Sequence, residues 1–323
     1  MKLKKQVLPR FFDFFFSMRP VLLVPVWGFS SFGYFKAKNH LNIIELWKST
    51  SPDVYIFFFL FSLSVGVVYI LNQIADIDVD KKNGGLPLIA SGIVSLKEAW
   101  YSVIFLSFIT VGFPLFMKYP MLSLFSLATI ITGILYSFKP TFFSGKLFLD
   151  FISNGFGYGC IAFGVGWWAG GKEIFTSEFI IASLPYFLLM CSGSINSTLP
   201  DVEGDESEGK RTTAVILGIM KAHLLSTLLL AISLLISIFT KDYIASICAL
   251  VSLPFYLIYY FYAKRFMMEA TYKIGGGICM IIACILMPYI LLLSGFIFYG
   301  TRIYFKKRHG ISYPSMVPSQ NEI

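Results

Sequence analysis

The chain carries little charge for its length. Only 14% of its 323 residues are Asp, Glu, Lys or Arg, whereas 56% are hydrophobic and the mean hydropathy is +0.73. A soluble globular domain has roughly 25% charged residues, so the composition excludes that class. The basic residues stand at the ends of apolar stretches and form no single basic domain, which argues against nucleic-acid binding.

Cysteine and histidine are also scarce, and neither is spaced for metal binding. The five cysteines have no C-x-x-C spacing and lie in apolar stretches: Cys160, Cys191, Cys248, Cys279 and Cys284. This pattern favours packing over disulfide or metal chemistry. The three histidines, His40, His223 and His309, have no partner at metal-ligand spacing, and we expect them at the surface.

Long apolar stretches fill most of the sequence. A helix needs about 20 apolar residues to cross the hydrocarbon core of a bilayer. Nine such windows cover approximately residues 12–35, 54–75, 96–117, 119–138, 147–170, 178–200, 222–240, 243–262 and 274–300. The hydrophilic stretches between them are too short for a soluble domain. The sequence therefore predicts one all-α integral membrane domain over residues 1–323, with about nine transmembrane helices around a central cavity.

The distribution of Lys and Arg orients these helices. With the N-terminus in the cytoplasm, most bases of the loops fall on the cytoplasmic side, as the positive-inside rule requires. Four bases after the ninth window break the rule, because nine crossings place them outside: Arg302, Lys306, Lys307 and Arg308. The net charge of +8 suits an anionic membrane surface and a polyanionic substrate.

Two acidic segments stand at the ends of apolar windows. Asn72, Asp76 and Asp80 are spaced four apart in one segment, and Asp201 and Asp205 in the other. Residues four apart on a helix are offset by about 40°, so each set forms one stripe. Carboxylates beside lipid are costly, which makes a functional role the first expectation. Two facing stripes would hold divalent cations, and Mg²⁺ is usually shared between carboxylates and substrate phosphates.

The neighbouring acids Asp78 and Glu203 lie on other faces of these helices, and we expect them to be solvated. On the same orientation rule, both acidic segments face the cytoplasm. The sequence therefore predicts a site that grips a diphosphate at the cytoplasmic membrane surface.

The order of these motifs resembles the UbiA superfamily of intramembrane prenyltransferases. The similarity includes N-x-x-x-D-x-x-x-D at 72–80, D-x-x-x-D at 201–205, YSFKP at 136–140, MRP at 18–20 and EGDESEGKRT at 203–212. It covers about residues 18–218 and agrees with a nine-helix count.

The resemblance implies transfer of a prenyl group from an isoprenyl diphosphate to a lipophilic acceptor. The implied Mg²⁺ ligands are Asp76, Asp80, Asp201, Asp205 and Asn72. The implied diphosphate-binding residues are Asn72, Lys139, Lys146, Lys210, Arg211 and Arg19. Tyr136 would face the allylic cation, because an aromatic ring attracts positive charge. The many phenylalanines, 34 in all, would line a groove for the prenyl tail.

Three positions depart from the family pattern. Gln73 replaces a second acid of the first segment, Leu86 precedes Pro87 where many relatives have Arg, and Ser197 stands where relatives often have Tyr or Asn. These differences leave the acceptor open.

We expect an aromatic or quinone-precursor acceptor, with a glycerol-phosphate lipid, a tetrapyrrole or a carotenoid as alternatives. Outside this class, an ion-coupled transporter or a CDP-alcohol phosphotransferase would also use membrane carboxylates. Transporters place such acids near the bilayer midplane, and the phosphotransferase needs one compact motif, whereas this chain has two acidic segments at helix ends.

Overall fold

The computed structural model describes residues 10–38, 42–83 and 87–313, and within these ranges the chain is helical apart from short connections and one backbone bridge between Lys146 and Arg211. The helices are, in chain order, α1 (Phe11–Ser17), α2 (Val24–Ala37), α3 (Ile43–Ser49), α4 (Pro52–Ala75), α5 (Ile77–Asn83), α6 (Pro87–Ala90), α7 (Leu96–Ser107), α8 (Phe113–Phe116), α9 (Pro120–Ser137), α10 (Leu149–Gly155), α11 (Phe163–Ala169), α12 (Ser177–Thr198), α13 (Val202–Ser207), α14 (Thr213–Leu217), α15 (Ile219–Phe239), α16 (Tyr243–Phe261), α17 (Arg265–Leu286) and α18 (Pro288–His309). Short 3-10 segments span Pro20–Leu23, Phe143–Gly145 and Leu199–Asp201, and π-helical segments span Phe108–Gly112 and Phe156–Ala162.

Seven helical stretches in the described ranges are long and apolar enough to cross a membrane. They are Pro52–Ala75, Leu96–Phe116, Pro120–Ser137, Ser177–Ser207, Ile219–Phe239, Tyr243–Phe261 and Arg265–Leu286. An eighth span forms if α1 is joined to Pro20–Ala37, from which it is bent by 46°. The chain is thus an all-α, multi-pass integral membrane protein, as predicted, and the predicted number of nine is approximate.

The bend after α1 has a local cause. Arg19 adopts a left-handed backbone conformation with φ of 50°, and Pro20 follows it. Proline disfavours the helical conformation in the residue before it and has no N–H to donate. The helix therefore stops at Ser17 and restarts in a new direction, which leaves Arg19 at the break.

Two of the predicted windows differ from the helices that form. Window 147–170 is helical but divided into α10, the π-helical segment Phe156–Ala162 and α11. Window 274–300 is wrong in its limits, because the chain breaks at Met287, an extended residue before Pro288, and the window joins half of α17 to half of α18.

Helix α18, which follows this break, determines where the C-terminal bases lie. Near the end of α18, Arg308 and Tyr304 both donate to the carboxylate of Asp13 in α1, and Asp13 is buried. The end of α18 therefore lies beside the start of the first span. The sequence left the side of this tail open, because nine crossings placed its bases against the positive-inside rule; in the structure two helices stand where one window was expected.

Helices α2 and α11 pack through glycine. A Cβ on Gly33 would lie 1.9 Å from the carbonyl oxygen of Phe163, and a Cβ on Gly166 would lie 1.7 Å from that of Ser30. Small residues allow membrane helices to approach this closely. The contact brings the π-helical segment of the divided span against α2, beside the cavities described below.

His223 lies in the interior, not at the surface. Its Nδ1 is 3.1 Å from Asn196 Oδ1, its Nε2 is 3.0 Å from the carbonyl oxygen of Tyr256, and the residue is fully buried. The surface prediction was wrong because the lone histidine finds its partners on α12 and α16, far away in sequence. His309 is half-buried beside Tyr304, and His40 lies outside the described residues.

Candidate active site

The first acidic segment begins at the end of α4. Asp76 caps this helix, and its Oδ2 accepts a hydrogen bond of 2.8 Å from Asn72 Nδ2. The backbone N–H of Asp80 donates to the carbonyl oxygen of Asp76 at 2.8 Å, so the helical path continues into α5. Asp80 Oδ2 lies 3.9 Å from an Arg19 guanidinium nitrogen. The predicted neighbours Asn72, Asp76, Asp80 and Arg19 are therefore brought together.

The charges around Asp76 and Asp80 come from both acidic segments. Burial raises the pKa of Asp76, against the opposing effect of the Lys210 ammonium. Burial also raises the pKa of Asp80, which Arg19 lowers and Glu208 raises. Because Lys210 and Glu208 follow the second acidic segment, the two segments act electrostatically on each other.

The second acidic segment is organised around Lys210. Its Nζ is 2.9 Å from Asp205 Oδ1 and 3.0 Å from Glu208 Oε2. Burial lowers the pKa of Lys210, but the hydrogen bonds to these two carboxylates outweigh it, so the pKa lies above its ordinary value. Lys210 therefore stays charged. Asp201 is exposed at the start of α13 and interacts electrostatically with Tyr272 of α17.

The remaining predicted bases lie on two adjoining loops. The backbone N–H of Arg211 donates to the carbonyl oxygen of Gly145 at 2.9 Å, which joins the loop after α13 to the loop before α10. The Lys146 ammonium donates to the carbonyl oxygen of Pro140 at 3.3 Å. The side chains of Lys139, Lys146 and Arg211 are exposed, so they lie at the rim of the site.

Two functional-site residues were missed in the sequence. Glu208 pairs with Lys210, and its spacing of three from Asp205 was the signal that it could share a face with that acid. Asp150 is buried at the start of α10 and accepts hydrogen bonds from Thr213 N at 2.8 Å and Thr213 Oγ1 at 2.6 Å. A lone acid in an apolar window was the signal for Asp150. Through Thr213, Asp150 anchors the loop that carries Lys210 to helix α10.

The departures from the family pattern have separate structural explanations. Gln73 is buried, and its Nε2 donates to the carbonyl oxygens of Ser17 at 2.7 Å and Tyr69 at 2.9 Å, so it ties α4 to α1. Ser197 donates to the carbonyl oxygen of Ser194 at 2.8 Å and lines a cavity. Leu86 lies outside the described residues.

The two acids that we expected to be solvated are both exposed. The Asp78 side chain is 94% exposed, with Lys81 Nζ 3.9 Å away, and Glu203 is exposed as well. Neither shares the surroundings of Asp76 or Asp205.

A cavity of about 230 Å³ lies below the first acidic segment, and we call it the Asn72 cavity. Its lining residues include Asn72, Tyr69, Tyr136, Asn154 and Tyr158. The predicted residue Tyr136 thus lines the same cavity as Asn72. An apolar chain can occupy this space while its polar end remains at the acids.

A second cavity, of about 310 Å³, lies among α2, α12, α16 and α17, and we call it the Tyr272 cavity. Ser197 and Tyr272 line it at the end near Asp201, and Tyr158 belongs to both cavities. Phe29 and Phe32 line the Tyr272 cavity, whereas the described lining of the Asn72 cavity contains no phenylalanine. The expected role of phenylalanine is therefore limited to the second cavity.

A cation already lies among the carboxylates. In the described part of the chain no three His, Cys, Asp or Glu side chains converge closely enough to hold a metal ion. The Lys210 ammonium instead bonds to Asp205 and Glu208 and acts electrostatically on Asp76 and Asp80. The groups around it are arranged for positive charge, and their oxygen donors suit a hard divalent cation.

Comparison with known proteins relates this arrangement to one family. The model of the UbiA prenyltransferase family matches residues 45–266, which include both acidic segments. One relative is the digeranylgeranylglyceryl phosphate synthase of Methanococcoides burtonii, which is 30% identical over 185 residues. The match covers 54% of this chain and 63% of that protein, less than two thirds of its length.

Solved structures share the fold. A UbiA homologue from Archaeoglobus fulgidus bound to GPP and Mg²⁺ superposes with a TM-score of 0.64 at 19% identity, over 85% of this chain and 99% of that chain. A digeranylgeranylglyceryl phosphate synthase gives a TM-score of 0.63 at 18% identity, over 88% and 99% of the two chains. The apo UbiA homologue from Aeropyrum pernix K1 gives 0.56 at 17% identity, over 84% and 98%.

Proposed function

Because the chain belongs to the UbiA prenyltransferase family, we propose that it transfers a prenyl group from an isoprenyl diphosphate to a lipophilic acceptor, at a site that faces the cytoplasm. The observation that carries this proposal is that Lys210 pairs with the second acidic segment and acts electrostatically on Asp76 of the first, whose neighbour Asn72 lines the Asn72 cavity. Such a site offers charges for a diphosphate and a cavity for its hydrocarbon tail.

We infer a glycerol-phosphate lipid as the acceptor, in place of the aromatic or quinone precursor that the sequence favoured. The synthase from Methanococcoides burtonii supports this choice, since its name describes a glyceryl phosphate product. The exposed bases at the rim, Lys139, Lys146 and Arg211, support it independently. Two phosphate-bearing substrates need more cationic contacts than a diphosphate and a neutral ring.

The donor set fits Mg²⁺, because the segments offer carboxylate and amide oxygens and already accommodate an ammonium group. The residues that would hold it are Asp76, Asp80, Asp201, Asp205 and Asn72. When bound, Mg²⁺ neutralises the charge that builds on the departing diphosphate. Burial of Asp76 and Asp80 strengthens their attraction for cations, because the surroundings screen charge less than water does.

The basic side chains take the phosphate oxygens in this proposal. Lys210 and Arg19 lie nearest to the acids, close to the place where negative charge develops, and the Lys210 ammonium keeps its charge there. In this proposal, the exposed side chains of Lys139, Lys146 and Arg211 reach the phosphate oxygens from the rim of the site.

Tyr136 acts on the prenyl group, on the opposite side of the breaking allylic C–O bond from the diphosphate. Tyr136 lines the Asn72 cavity together with Asn72, and an allylic cation would form at this cavity once the diphosphate departs. The face of an aromatic ring attracts such a charge. The Asn72 cavity would at the same time keep water from the cation.

The test is release of pyrophosphate from radiolabelled geranyl, farnesyl and geranylgeranyl diphosphate by the purified full-length protein, with Mg²⁺ or with EDTA. Acceptors are a prenylated glycerol phosphate, a hydroxybenzoate and a hydroxynaphthoate. Magnesium-dependent labelling of the glycerol phosphate is expected. Labelling of an aromatic acceptor alone would overturn the acceptor assignment, and no release from any donor would overturn the transferase.

Ion-coupled transport is less well supported by the position of the acids. Asp76 caps the end of α4, and Asp201 ends the 3-10 segment that follows α12, so both acids lie beside basic loops and away from the middle of either helix. Carboxylates that couple ions to transport lie near the bilayer midplane.

A further inference from the structure

Helix α18 is fastened to α1 through a buried charged contact, and it lies beyond the part of the chain that the family model matches, which ends at residue 266. Tyr304 stacks on Phe16 with the ring centroids 4.0 Å apart. Arg308 and Tyr304 both donate to the Asp13 carboxylate, and the Arg308 and Asp13 side chains are only 7% and 1% exposed. The end of α18 is therefore held firmly against the first helix of the chain.

The residues after α18 turn back onto this contact. Gly310 ends the helix in a left-handed conformation with φ of 71°, and the backbone N–H of Ile311 donates to the carbonyl oxygen of Phe305 at 3.2 Å. Tyr313 then packs on Phe305 with the ring centroids 5.2 Å apart. The same apolar cluster contains residues of α1 and Leu88 of α6, the helix after the first acidic segment. The turn therefore joins α18 to α1 and α6.

Tyr313 is electrostatically coupled to the site. Burial raises the pKa of Tyr313, and the Arg19 guanidinium opposes this effect. Arg19 and Tyr313 both also act electrostatically on Tyr69, which lines the Asn72 cavity. These effects relate the turn after α18 to a base that we assign to the diphosphate and to the cavity that we assign to its hydrocarbon tail.

Arg19 needs support from its surroundings. Within the described part of the chain, its Nε is buried and has no hydrogen-bond partner, and Asp80 Oδ2 is 3.9 Å from its terminal nitrogen, too far for a hydrogen bond. A buried guanidinium donor of this kind suits a site where an anion supplies the acceptor. The left-handed backbone of Arg19 is also strained, and such strain persists only where the neighbouring structure holds it.

We propose that Tyr313 is a positioning residue, which keeps the Arg19 side chain in the orientation that binds the diphosphate. This inference rests on the proposed function and adds to the site a residue from outside the family match. Arg19 contacts the diphosphate, and Tyr313 acts through Arg19. The Tyr313 ring is fixed by Phe305 and by the buried contact between α18 and α1, so it restricts the motion of a long side chain before the substrate arrives. Such preorganisation lowers the entropy that binding costs.

The experiment measures the KM for geranylgeranyl diphosphate and the KM for the acceptor in full-length Tyr313→Ala. The donor KM should rise roughly tenfold while the acceptor KM is unchanged, because a misplaced guanidinium loses about one charged hydrogen bond. Tyr313→Phe keeps the ring and should keep both constants. Tyr299→Ala removes a tyrosine ring from an exposed position on the same helix and is the matched control, which should also keep both constants.

A double-mutant cycle tests whether Tyr313 acts through Arg19. In the Arg19→Met background, Tyr313→Ala should not raise the donor KM further, because the group that it positions is gone. Independent effects of the two substitutions would overturn the positioning role. Thermal unfolding in detergent identifies the variants that remain folded. Arg308→Met, which releases the end of α18 from Asp13, removes the same support in a second way and should also raise the donor KM.

Binding of inorganic pyrophosphate with Mg²⁺ separates this inference from the proposed function. Calorimetry on the full-length protein should show a Kd roughly tenfold higher in Tyr313→Ala than in wild type. A wild type that binds pyrophosphate but transfers no prenyl group would overturn the proposed function, and the Kd comparison would still decide the role of Tyr313. An unchanged Kd and donor KM in folded Tyr313→Ala would overturn the positioning role alone. No binding of pyrophosphate by the wild type would overturn both.

Discussion

The two acidic segments share their spacing but differ in their partners. Asp76 accepts a hydrogen bond from the neutral amide of Asn72, whereas Asp205 is paired with the Lys210 ammonium. The first segment continues from a membrane helix directly into α5, whereas the second passes through a 3-10 turn into α13. Similar motifs therefore create unlike electrostatic surroundings.

This difference divides the site into two halves. In the first half, burial raises the pKa values of Asp76 and Asp80, so a bound cation would offset part of the cost of keeping these carboxylates charged. In the second half, the positive charge is built in through Lys210. We infer that the first half contributes more to metal binding and the second half more to diphosphate binding, and the following variants test this division.

The largest effect is expected from Asp76→Asn. The substitution keeps the volume and removes a charge that we assign to the metal, and metal catalysis is worth several kcal/mol, or roughly a thousandfold in kcat. Initial rates at saturating donor measure it. Asp78→Asn, at an exposed position two residues away, is the control and should stay within about twofold. Near-normal turnover by Asp76→Asn would remove the first half from the metal site.

A smaller effect is expected from Lys210→Met. Loss of a charged hydrogen bond costs about 1.5–3 kcal/mol, so KM for the donor should rise about 10- to 100-fold while KM for the acceptor changes little. Steady-state kinetics with each substrate varied in turn separate the two constants. Lys81→Met, at an exposed lysine, is the matched control. A change confined to the acceptor KM would contradict a diphosphate contact.

Asp150→Asn should have a moderate effect that reaches the site indirectly. Asp150 positions the second loop through Thr213, so its loss should lower kcat/KM about tenfold, within the range of one charged hydrogen bond. Asp150→Asn, Thr213→Val and the double variant form a cycle that measures their coupling. Strictly additive effects would show that Asp150 does not act through Thr213.

The smallest effect on activity is expected from Gln73→Leu. Gln73 ties α4 to α1 through neutral hydrogen bonds, so the variant should lose about 1 kcal/mol of stability and keep activity within about threefold. Thermal unfolding in detergent and initial rates measure the two quantities. A loss of activity as large as that of Asp76→Asn would place Gln73 in the site.

Much of the fold could be predicted because hydropathy and helical periodicity are local properties. The two acidic stripes followed from four-residue spacing alone, and the structure joins Asn72 to Asp76 as that spacing suggests. The limits of the last helices could not be read from hydropathy, because both sides of the break at Met287 are equally apolar. Pro288 was the available signal.

The residues whose surroundings were not predicted depend on distant parts of the chain. Asp150 looked like an isolated acid until Thr213, 63 residues later, was found beside it. His223 looked like a surface residue until Asn196 and the Tyr256 carbonyl enclosed it. In each case the partner is on another helix, and spacing along one helix carries no information about it.

The sequence by itself determined an all-helical membrane protein with two acidic stripes. Its apolar composition makes the chain stable in a lipid bilayer, and the helical repeat determines which side chains share a face. Only the tertiary structure decided that Lys210 pairs with Asp205 and Glu208 and acts electrostatically on Asp76, that α18 returns to α1, and that Tyr158 lines two cavities. These features depend on how helices pack against one another, and packing is set by the shapes of side chains far apart in sequence.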